Sequence, residues 1–330
     1  MLAFRAALAV RIGPGQPDNQ SEPSGEEPDA EGEVGRHGKG DQWHRACQHG
    51  PMERDIDVNG VRLHCIVEGE GPLVLLLHGF PETSRAWRKQ IPALAQRFRV
   101  VAPDLRGYGG SDKPKGIAAY RTPVLADDVV GLIHAFDAER AHVVGHDWGG
   151  AVAWATAIEH PEAVDRLVVL NCPHPAVMAR ALRSNWAQVR RSWYIFAFQL
   201  PWLPEWALRR DGARALKDTL RRSTKRLDTF SDLDLDAYAR AFGAPGAATA
   251  AINYYRAAVR SPVPTGPRKV RAPTLLIWGE EDFALGIELT RGMEGLLERE
   301  PRVEYLPETG HFVMEERPEV VNRLLLEFLA

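Results

Sequence analysis

The sequence predicts an α/β fold, with a mostly parallel sheet covered by helices on both faces and a helical segment inserted late in the chain. Short apolar runs, each the length of a buried strand, recur along the sequence, and helical patterns separate most of them. This alternation is typical of parallel strands joined by crossover helices. Between residues 171 and 274 the alternation stops and consecutive helical patterns follow, which indicates a helical lid inserted into the sheet domain.

The individual elements follow from local patterns. Residues 56–67 alternate in polarity around Asn59 and Gly60, a pair that favours a tight hairpin turn. Further strands are predicted at residues 73–77, 98–102, 141–144, 167–170, 274–278 and 303–306, with helices at 151–158 and 318–329. The chain therefore divides into a first core part (52–175), a helical lid (176–265) and a second core part (266–330).

Residues 1–51 are predicted to be a disordered N-terminal extension. Gly, Pro, Glu, Asp and Ser dominate residues 13–50, and few large apolar residues are present to build a core. The run at residues 1–10 lacks a following small-residue cleavage site, so it makes a poor signal peptide. Met52 stands directly before the first predicted strand, which suggests the hypothesis of an alternative translation start.

Composition excludes several classes of function. The formal net charge of the 330 residues is -3, which gives no electrostatic case for nucleic acid or an anionic membrane, and no apolar run reaches the length of a membrane span. The three cysteines, Cys47, Cys65 and Cys172, are widely spaced, which favours a reducing, cytoplasmic location and offers no metal site. Residues 180–226 are rich in Arg and Lys. These side chains form either a solvated helix face or a surface that attracts anionic substrates or partners.

The most informative segment is Gly-His-Asp-Trp-Gly-Gly at residues 145–150. A predicted strand precedes it and a predicted helix follows, and its small residues allow the sharp turn that exposes a side chain at the apex. That apex residue is Asp147, where many hydrolases carry a serine. An aspartate that merely caps the helix is the alternative interpretation.

A carboxylate at this position favours a particular chemistry. It is a weak nucleophile that succeeds by displacement at a saturated carbon bearing a good leaving group, and the product is an alkyl ester of Asp147. Water must then cleave that ester at its carbonyl carbon. This second step requires a general base and an oxyanion hole elsewhere in the chain.

Residues that end the predicted strands supply candidates for both parts. His311 follows the last strand and is the candidate base, and Asp282 follows the preceding strand and is the candidate orienting acid, with Glu281 as its competitor. Asn171 and Asp104 also end strands, but Asn171 is an amide and cannot serve as the acid. The backbone N–H groups of Phe80 and Trp148 are the candidate oxyanion hole.

Four motifs together resemble the epoxide hydrolases of the α/β-hydrolase family: His-Gly-Phe-Pro-Glu at 78–82, the elbow at 145–150, Asn-Cys-Pro-His-Pro at 171–175 and Gly-His-Phe at 310–312. The resemblance spans roughly residues 52–330. It implies the α/β-hydrolase fold with a lid, and the order nucleophile, acid, histidine is the order of that family's triad. It also implies two lid tyrosines that hydrogen-bond the epoxide oxygen. Asn-Tyr-Tyr-Arg at 253–256 makes Tyr255 one of them, and the segment 193–199 makes Tyr194 the other, with a core-packing role as the alternative for each.

The implied reaction converts a small apolar epoxide and water to a vicinal diol, without cofactor or metal, in a monomer or a homodimer. The main alternative is a dehalogenase that uses the same aspartyl ester. Haloalkane dehalogenases share Trp148 but commonly carry asparagine where this chain has Phe80, and fluoroacetate dehalogenases carry arginines after the nucleophile where this chain has Trp148 and Ala151. Both differences favour the epoxide. A third hypothesis is a catalytically idle member that only binds a ligand.

Overall fold

A computed structural model describes residues 51–261 and 269–330 of the chain. The extension predicted to be disordered therefore lies outside the described residues, apart from its last position. Cys47 and the predicted lid boundary at residues 265 and 266 also lie outside them.

The described chain forms one eight-stranded sheet. Its strands are β1 (Met52–Val58), β2 (Val61–Glu68), β3 (Leu73–Leu77), β4 (Arg99–Pro103), β5 (Ala141–His146), β6 (Val164–Leu170), β7 (Thr274–Gly279) and β8 (Arg302–Leu306). Their spatial order is β1-β2-β4-β3-β5-β6-β7-β8, with β1 and β2 antiparallel to their neighbours and the remaining pairs parallel. The mostly parallel sheet is thus confirmed, and the predicted hairpin is β1-β2 with both Asn59 and Gly60 at positive φ.

Helices cover both faces of this sheet. Within the described ranges they are α1 (Ile91–Leu94), α2 (Thr122–Ala135), α3 (Trp148–Glu159), α4 (Pro175–Ser184), α5 (Trp186–Arg191), α6 (Trp193–Ala197), α7 (Leu203–Arg222), α8 (Asp232–Gly243), α9 (Ala247–Arg260), α10 (Val313–Glu316) and α11 (Pro318–Leu329). None of these described helices is both long enough and apolar enough to cross a bilayer. Helices α4 to α9 occupy the sequence between β6 and β7, which we call the helical insertion.

Two apolar clusters show how the sheet is buried. Because side chains alternate along a strand, Leu75 and Leu77 of β3 belong to a different cluster from Val74 and Leu76. The first cluster includes side chains of α2, α3 and the helical insertion, and the second includes side chains of α1, α10 and α11 together with some from α7 and α8 of the insertion. The five residues of β3 are all buried, which is the pattern of a central strand covered on both faces.

A buried ion pair anchors the loop after β4. Arg106 donates from Nε and Nη2 to the two carboxylate oxygens of Asp128 on α2, at 2.7 and 2.6 Å, and the two side chains are each 6 % exposed. Arg106 also donates to the carbonyl of Asn59 in the hairpin turn. The pair therefore ties the hairpin, the loop and α2 together on one side of the molecule.

Candidate active site

The segment around Asp147 forms the strand, turn and helix that the sequence predicts. β5 ends at His146, α3 begins at Trp148, and Asp147 between them has φ 49° and ψ −116°, an unusual conformation for a residue with a side chain. The small residues are required by close packing, because a Cβ on Gly149 would collide with the backbone carbonyl of Leu77. This approach of α3 to the sheet holds Asp147 at the carboxyl end of β5.

The Asp147 side chain turns away from the helix that it precedes. It makes no capping hydrogen bond to α3, so the helix-cap interpretation does not describe its contacts. Instead its Oδ1 accepts a hydrogen bond from the backbone N–H of Phe80 at 2.9 Å, and its Oδ2 lies 3.6 Å from Nε2 of His311. The carboxylate thus lies between one candidate oxyanion-hole donor and the candidate base.

His311 in turn contacts the predicted acid. Its Nδ1 is 2.7 Å from Oδ2 of Asp282, and the other carboxylate oxygen of Asp282 accepts from the backbone N–H groups of Ala284 and Leu285 at 2.8 and 3.0 Å. Glu281, the competitor from the sequence, instead forms an exposed ion pair with a lysine of the helical insertion. The structure therefore brings Asp147, His311 and Asp282 together and directs Glu281 elsewhere.

Charge and burial oppose each other at these three groups. Burial would raise the pKa of Asp147 and of Asp282, but His311 beside them brings the pKa of both carboxyls below the usual value. Burial would lower the pKa of His311, but Asp282 and Asp147 raise that pKa well above its usual value. The ion-paired form, with two carboxylates around an imidazolium, is therefore the favoured state of the free site.

Three residues support the site without having been assigned a role from sequence. Asn171 donates from Nδ2 to Oδ2 of Asp282 at 2.7 Å and accepts from the backbone N–H of Gly279. Its position at the end of a predicted strand was the feature of the sequence that could have indicated this supporting role. Fully buried Glu82 and His146 contact each other through Oε2 and Nδ1 at 2.9 Å.

These contacts connect the loop after β3 to the loop that carries His311. Oε2 of Glu82 accepts from the N–H of Gly79, next to Phe80, and Nε2 of His146 lies 3.0 Å from the carbonyl oxygen of His311. Both residues belong to motifs that the sequence singled out, but a contact between segments 64 residues apart requires the folded chain. The Asp104 carboxylate, in contrast, binds the N–H groups of Ser84 and Gly110 and does not join the site.

The two predicted tyrosines come from different helices of the insertion and meet beside the elbow. Tyr255 on α9 packs edge-on against Trp148 and Phe80, with ring centroids 4.9 and 5.4 Å apart, and Tyr194 on α6 lies 5.8 Å from Tyr255. Burial, followed by the negative charge of Asp147, raises the pKa of both phenols well above the usual value. Both phenols are therefore protonated at neutral pH.

The neighbouring Tyr254 points elsewhere, although it belongs to the same motif. Its hydroxyl donates to the carbonyl of Arg106 at 2.7 Å, and its side chain is fully buried. Successive residues of a helix point about 100° apart, so only one of these two tyrosines on α9 can face Asp147. Of the two, Tyr255 is the tyrosine that lies beside Phe80 and Tyr194.

A buried arginine fixes the two tyrosine-bearing helices relative to each other. Arg256 on α9 pairs with both carboxylate oxygens of Glu205 on α7, at 2.6 and 3.2 Å, and donates to the carbonyls of Phe198 and Leu200 just after α6. Because Arg256 directly follows Tyr255, this clamp holds the end of α6, and with it Tyr194, close to Tyr255.

Comparison with known proteins gives the class to which this fold and site belong. Residues 72–318 match the α/β hydrolase fold family, and the chain belongs to that family. The predictions of the α/β-hydrolase fold and of a hydrolase are thereby confirmed.

Within the family, the chain is similar to proteins named as epoxide hydrolases. It is 38 % identical over 281 residues to epoxide hydrolase 3 of Mus musculus, which covers 83 % of this chain and 75 % of that protein. It is 41 % identical over 277 residues to AB hydrolase superfamily protein YfhM of Bacillus subtilis (strain 168), covering 83 % and 96 % respectively. Among solved structures, the Bacillus megaterium epoxide hydrolase in complex with an inhibitor has a TM-score of 0.78 and 32 % identity, covering 84 % of this chain and 99 % of that one. The predicted resemblance to epoxide hydrolases is confirmed.

Proposed function

We propose that this protein is an epoxide hydrolase that converts an apolar epoxide and water to a vicinal diol through an ester on Asp147. The observation that carries the proposal is the position of two protonated phenols, Tyr255 and Tyr194, beside a carboxylate that has its own base. Opening an epoxide generates an alkoxide, which needs a proton donor, whereas a departing halide does not. The similarity to proteins named as epoxide hydrolases supports the same substrate class.

In the first step Asp147 attacks one epoxide carbon. Its Oδ1 is held by the Phe80 N–H, so Oδ2 is the freer oxygen for the attack. As the new C–O bond forms, the epoxide C–O bond breaks, and its electron pair stays on the epoxide oxygen. Tyr255 or Tyr194 gives that oxygen a proton, and the imidazolium of His311 is the nearby acid that restores the phenol through solvent.

In the second step His311 removes a proton from a water molecule that attacks the carbonyl carbon of the ester. The Phe80 N–H, together with the N–H of Trp148 at the start of α3, where helix N–H groups lack intrahelical partners, stabilises the oxyanion. When the intermediate collapses, the alcohol oxygen leaves with the proton from His311. The diol departs and Asp147 transfers its remaining proton back to His311, which balances the reaction.

Formation of the ester also adjusts the base. In the free site the charge of Asp147 is one of the influences that raise the pKa of His311. Esterification removes that charge, so the pKa of His311 falls in the intermediate, where a neutral imidazole is required. The pairing with Asp282 persists and keeps the ring oriented.

A single turnover in heavy-oxygen water tests the mechanism. With enzyme in excess over an epoxide, mass spectrometry of peptides should find the label in Asp147, while the first diol formed carries an unlabelled oxygen from that carboxylate. Asp147→Asn is the control and should incorporate no label. Label in the diol but none in Asp147 would mean that water attacks the epoxide directly.

Matched substrates separate this function from the dehalogenase alternative. The same carbon skeleton is offered once as an epoxide and once as a haloalkane, and diol and halide are measured. We expect diol formation from the epoxide and little halide release. The apolar Phe80 ring, packed against Phe198 and Tyr255, offers no polar side-chain group to a halide. Halide release without diol formation would exclude the proposed function.

A further inference from the structure

Large apolar side chains are exposed on one part of the helical insertion. Over residues 186–206 the exposed fractions are 73 % for Trp186, 50 % for Trp193, 58 % for Phe196, 49 % for Leu200, 70 % for Trp202 and 52 % for Trp206. We call these six residues the aromatic face. Elsewhere in the described ranges, exposed residues of this kind are scattered over five widely separated regions of the chain. Scattered exposed apolar residues are ordinary, whereas a concentration of them marks a contact surface.

The spacing of these residues places them on the outer side of the insertion. Trp186 begins α5, Trp193 begins α6 and Leu200 follows the end of α6, and all three side chains are exposed. Gln188 and Ser192, between them, are fully buried and point the other way. Trp202 and Trp206 are four residues apart at the start of α7 and share a side of that helix.

Positive charge accompanies the aromatic face. Arg183 and Arg190 are exposed, and within the described part of the chain neither has a hydrogen-bond or ion-pair partner. Arg209 and Arg210 follow Trp206, and the Arg210 guanidinium carbon lies 4.7 Å from the centre of the Trp206 ring. Residues 180–226 contain twelve Lys and Arg but only three Asp and Glu.

The overall charge conceals this concentration. The whole chain carries a net charge of -3, so the excess of positive charge in this segment is balanced by acids elsewhere. Glu205, one of the three acids of the segment, is buried against Arg256 and does not neutralise the surface. Part of the excess is paired with acids beyond the segment, as in Arg221 with Asp232 near the end of α7 and Arg191 with Glu288 beside the aromatic face, so the unpaired charge next to this face comes from Arg183 and Arg190.

Two occupants of this face can be compared by charge. A second copy of the chain, docked by twofold symmetry, would set the unpaired arginines of one face against those of the other. An anionic lipid surface complements them, and tryptophan with arginine is the composition of helices that lie at membrane interfaces. We propose that the aromatic face, with Arg183 and Arg190, binds the surface of anionic lipid bilayers, without spanning them.

This surface is close to the candidate active site but is not part of it. α6 carries Trp193 and Phe196 on its exposed side, while Tyr194 on the same helix faces the site. A bilayer bound here would lie about one helix diameter, ~10 Å, from the tyrosines. This consequence rests on the proposed function: a hydrolase of apolar epoxides bound here would take its substrates from a lipid phase in which they concentrate.

Vesicle binding tests the proposal without reference to activity. The full chain is sedimented with vesicles of phosphatidylcholine alone or with phosphatidylglycerol added, and the bound fraction is measured. We expect binding to the anionic vesicles that weakens with salt. Trp186→Ser combined with Trp202→Asn should reduce the partition coefficient at least tenfold, because interfacial binding follows the apolar area inserted. Asparagine suits position 202, where the backbone is left-handed.

Charge variants and matched controls complete the test. Arg183→Gln and Arg190→Gln should each weaken binding about fivefold, the factor that corresponds to one basic residue near an anionic surface. Leu233→Ser, at a residue 74 % exposed outside the aromatic face, and Arg221→Gln should leave binding unchanged.

Three results would overturn the proposal. The first is the absence of binding to anionic vesicles. The second is binding that the Trp186 and Trp202 substitutions leave intact, which would assign it to another part of the chain. The third is concentration-dependent dimerisation that the same substitutions abolish, without vesicle binding, which would make a second copy the occupant. Diol formation from a water-soluble epoxide is measured for every variant, so loss of lipid binding is distinguished from failure of the proposed function.

Discussion

Removing the hydroxyl of Tyr255 gives the sharpest test of how the epoxide oxygen is activated. Tyr255→Phe keeps a ring that packs against Trp148, Phe80 and Phe198 and deletes only the donor. A donor aimed at developing negative charge in a buried site contributes about 100- to 1,000-fold to the rate, or roughly 3–4 kcal/mol. Because Tyr194 remains 5.8 Å away and can donate alone, we expect the lower end of this range, ~100-fold.

The loss should fall on one step of the reaction. Cleavage of the Asp147 ester uses His311 and the backbone donor at Phe80, which the substitution leaves in place. Rapid mixing with enzyme in excess separates the steps, because samples quenched with acid at successive times can be analysed by mass spectrometry for the ester on Asp147. We expect slow formation of the ester and nearly unchanged decay.

Tyr254→Phe is the matched control, one residue away on the same helix. Its hydroxyl donates to the Arg106 carbonyl, so its loss should lower the free energy of unfolding by about 1–3 kcal/mol and leave the rate of opening unchanged. The reasoning is refuted if Tyr255→Phe opens epoxides at the wild-type rate, or if Tyr254→Phe slows opening as much as Tyr255→Phe does.

Two further predictions concern charge. Asp282→Asn removes a carboxylate that raises the pKa of His311, so the pKa of His311 should fall. Because kcat increases with pH as His311 loses its proton, the increase in the residual kcat of the variant should occur at lower pH than in the wild type. Asp128→Ala leaves Arg106 buried without its partner and should lower the free energy of unfolding by about 3–5 kcal/mol in chemical denaturation. Asp55→Ala, which breaks an exposed pair, should lower the free energy of unfolding far less, because solvent screens that pair.

The pH prediction has its own control in the adjacent acid. Glu281→Gln alters an exposed side chain paired with Lys225, so the profile of kcat against pH should stay where it is. A profile that moves in Glu281→Gln and stays in Asp282→Asn would reverse the assignment of the orienting acid. If the increase in kcat moved to higher pH in Asp282→Asn, the result would contradict the expected fall in the pKa of His311.

The sequence alone determined the features that depend on local pattern. The β3 and α11 bounds coincide with their predicted ranges, because a short buried apolar run and a long amphipathic pattern are each set by neighbouring residues. The elbow at Asp147 follows for the same reason, since its small residues and the flanking strand and helix lie within a few positions. The sequence also shows which polar residues follow the predicted strands. Because the carboxyl ends of parallel strands lie at one edge of the sheet, this order was sufficient to predict that Asp147, Asp282 and His311 lie close together, as they do.

The tertiary structure alone decided which neighbouring side chain turns toward the site. Glu281 and Asp282 are adjacent, and so are Tyr254 and Tyr255, and in both pairs the long-range contacts choose between them. The contacts of Asn171 with Asp282 and of Glu82 with His146 join residues far apart in the chain, so no local pattern contains them. The aromatic face could not be predicted from the sequence for the same physical reason. Tryptophans at helical spacing are equally compatible with a packed core, and only the fold shows that these side chains are exposed.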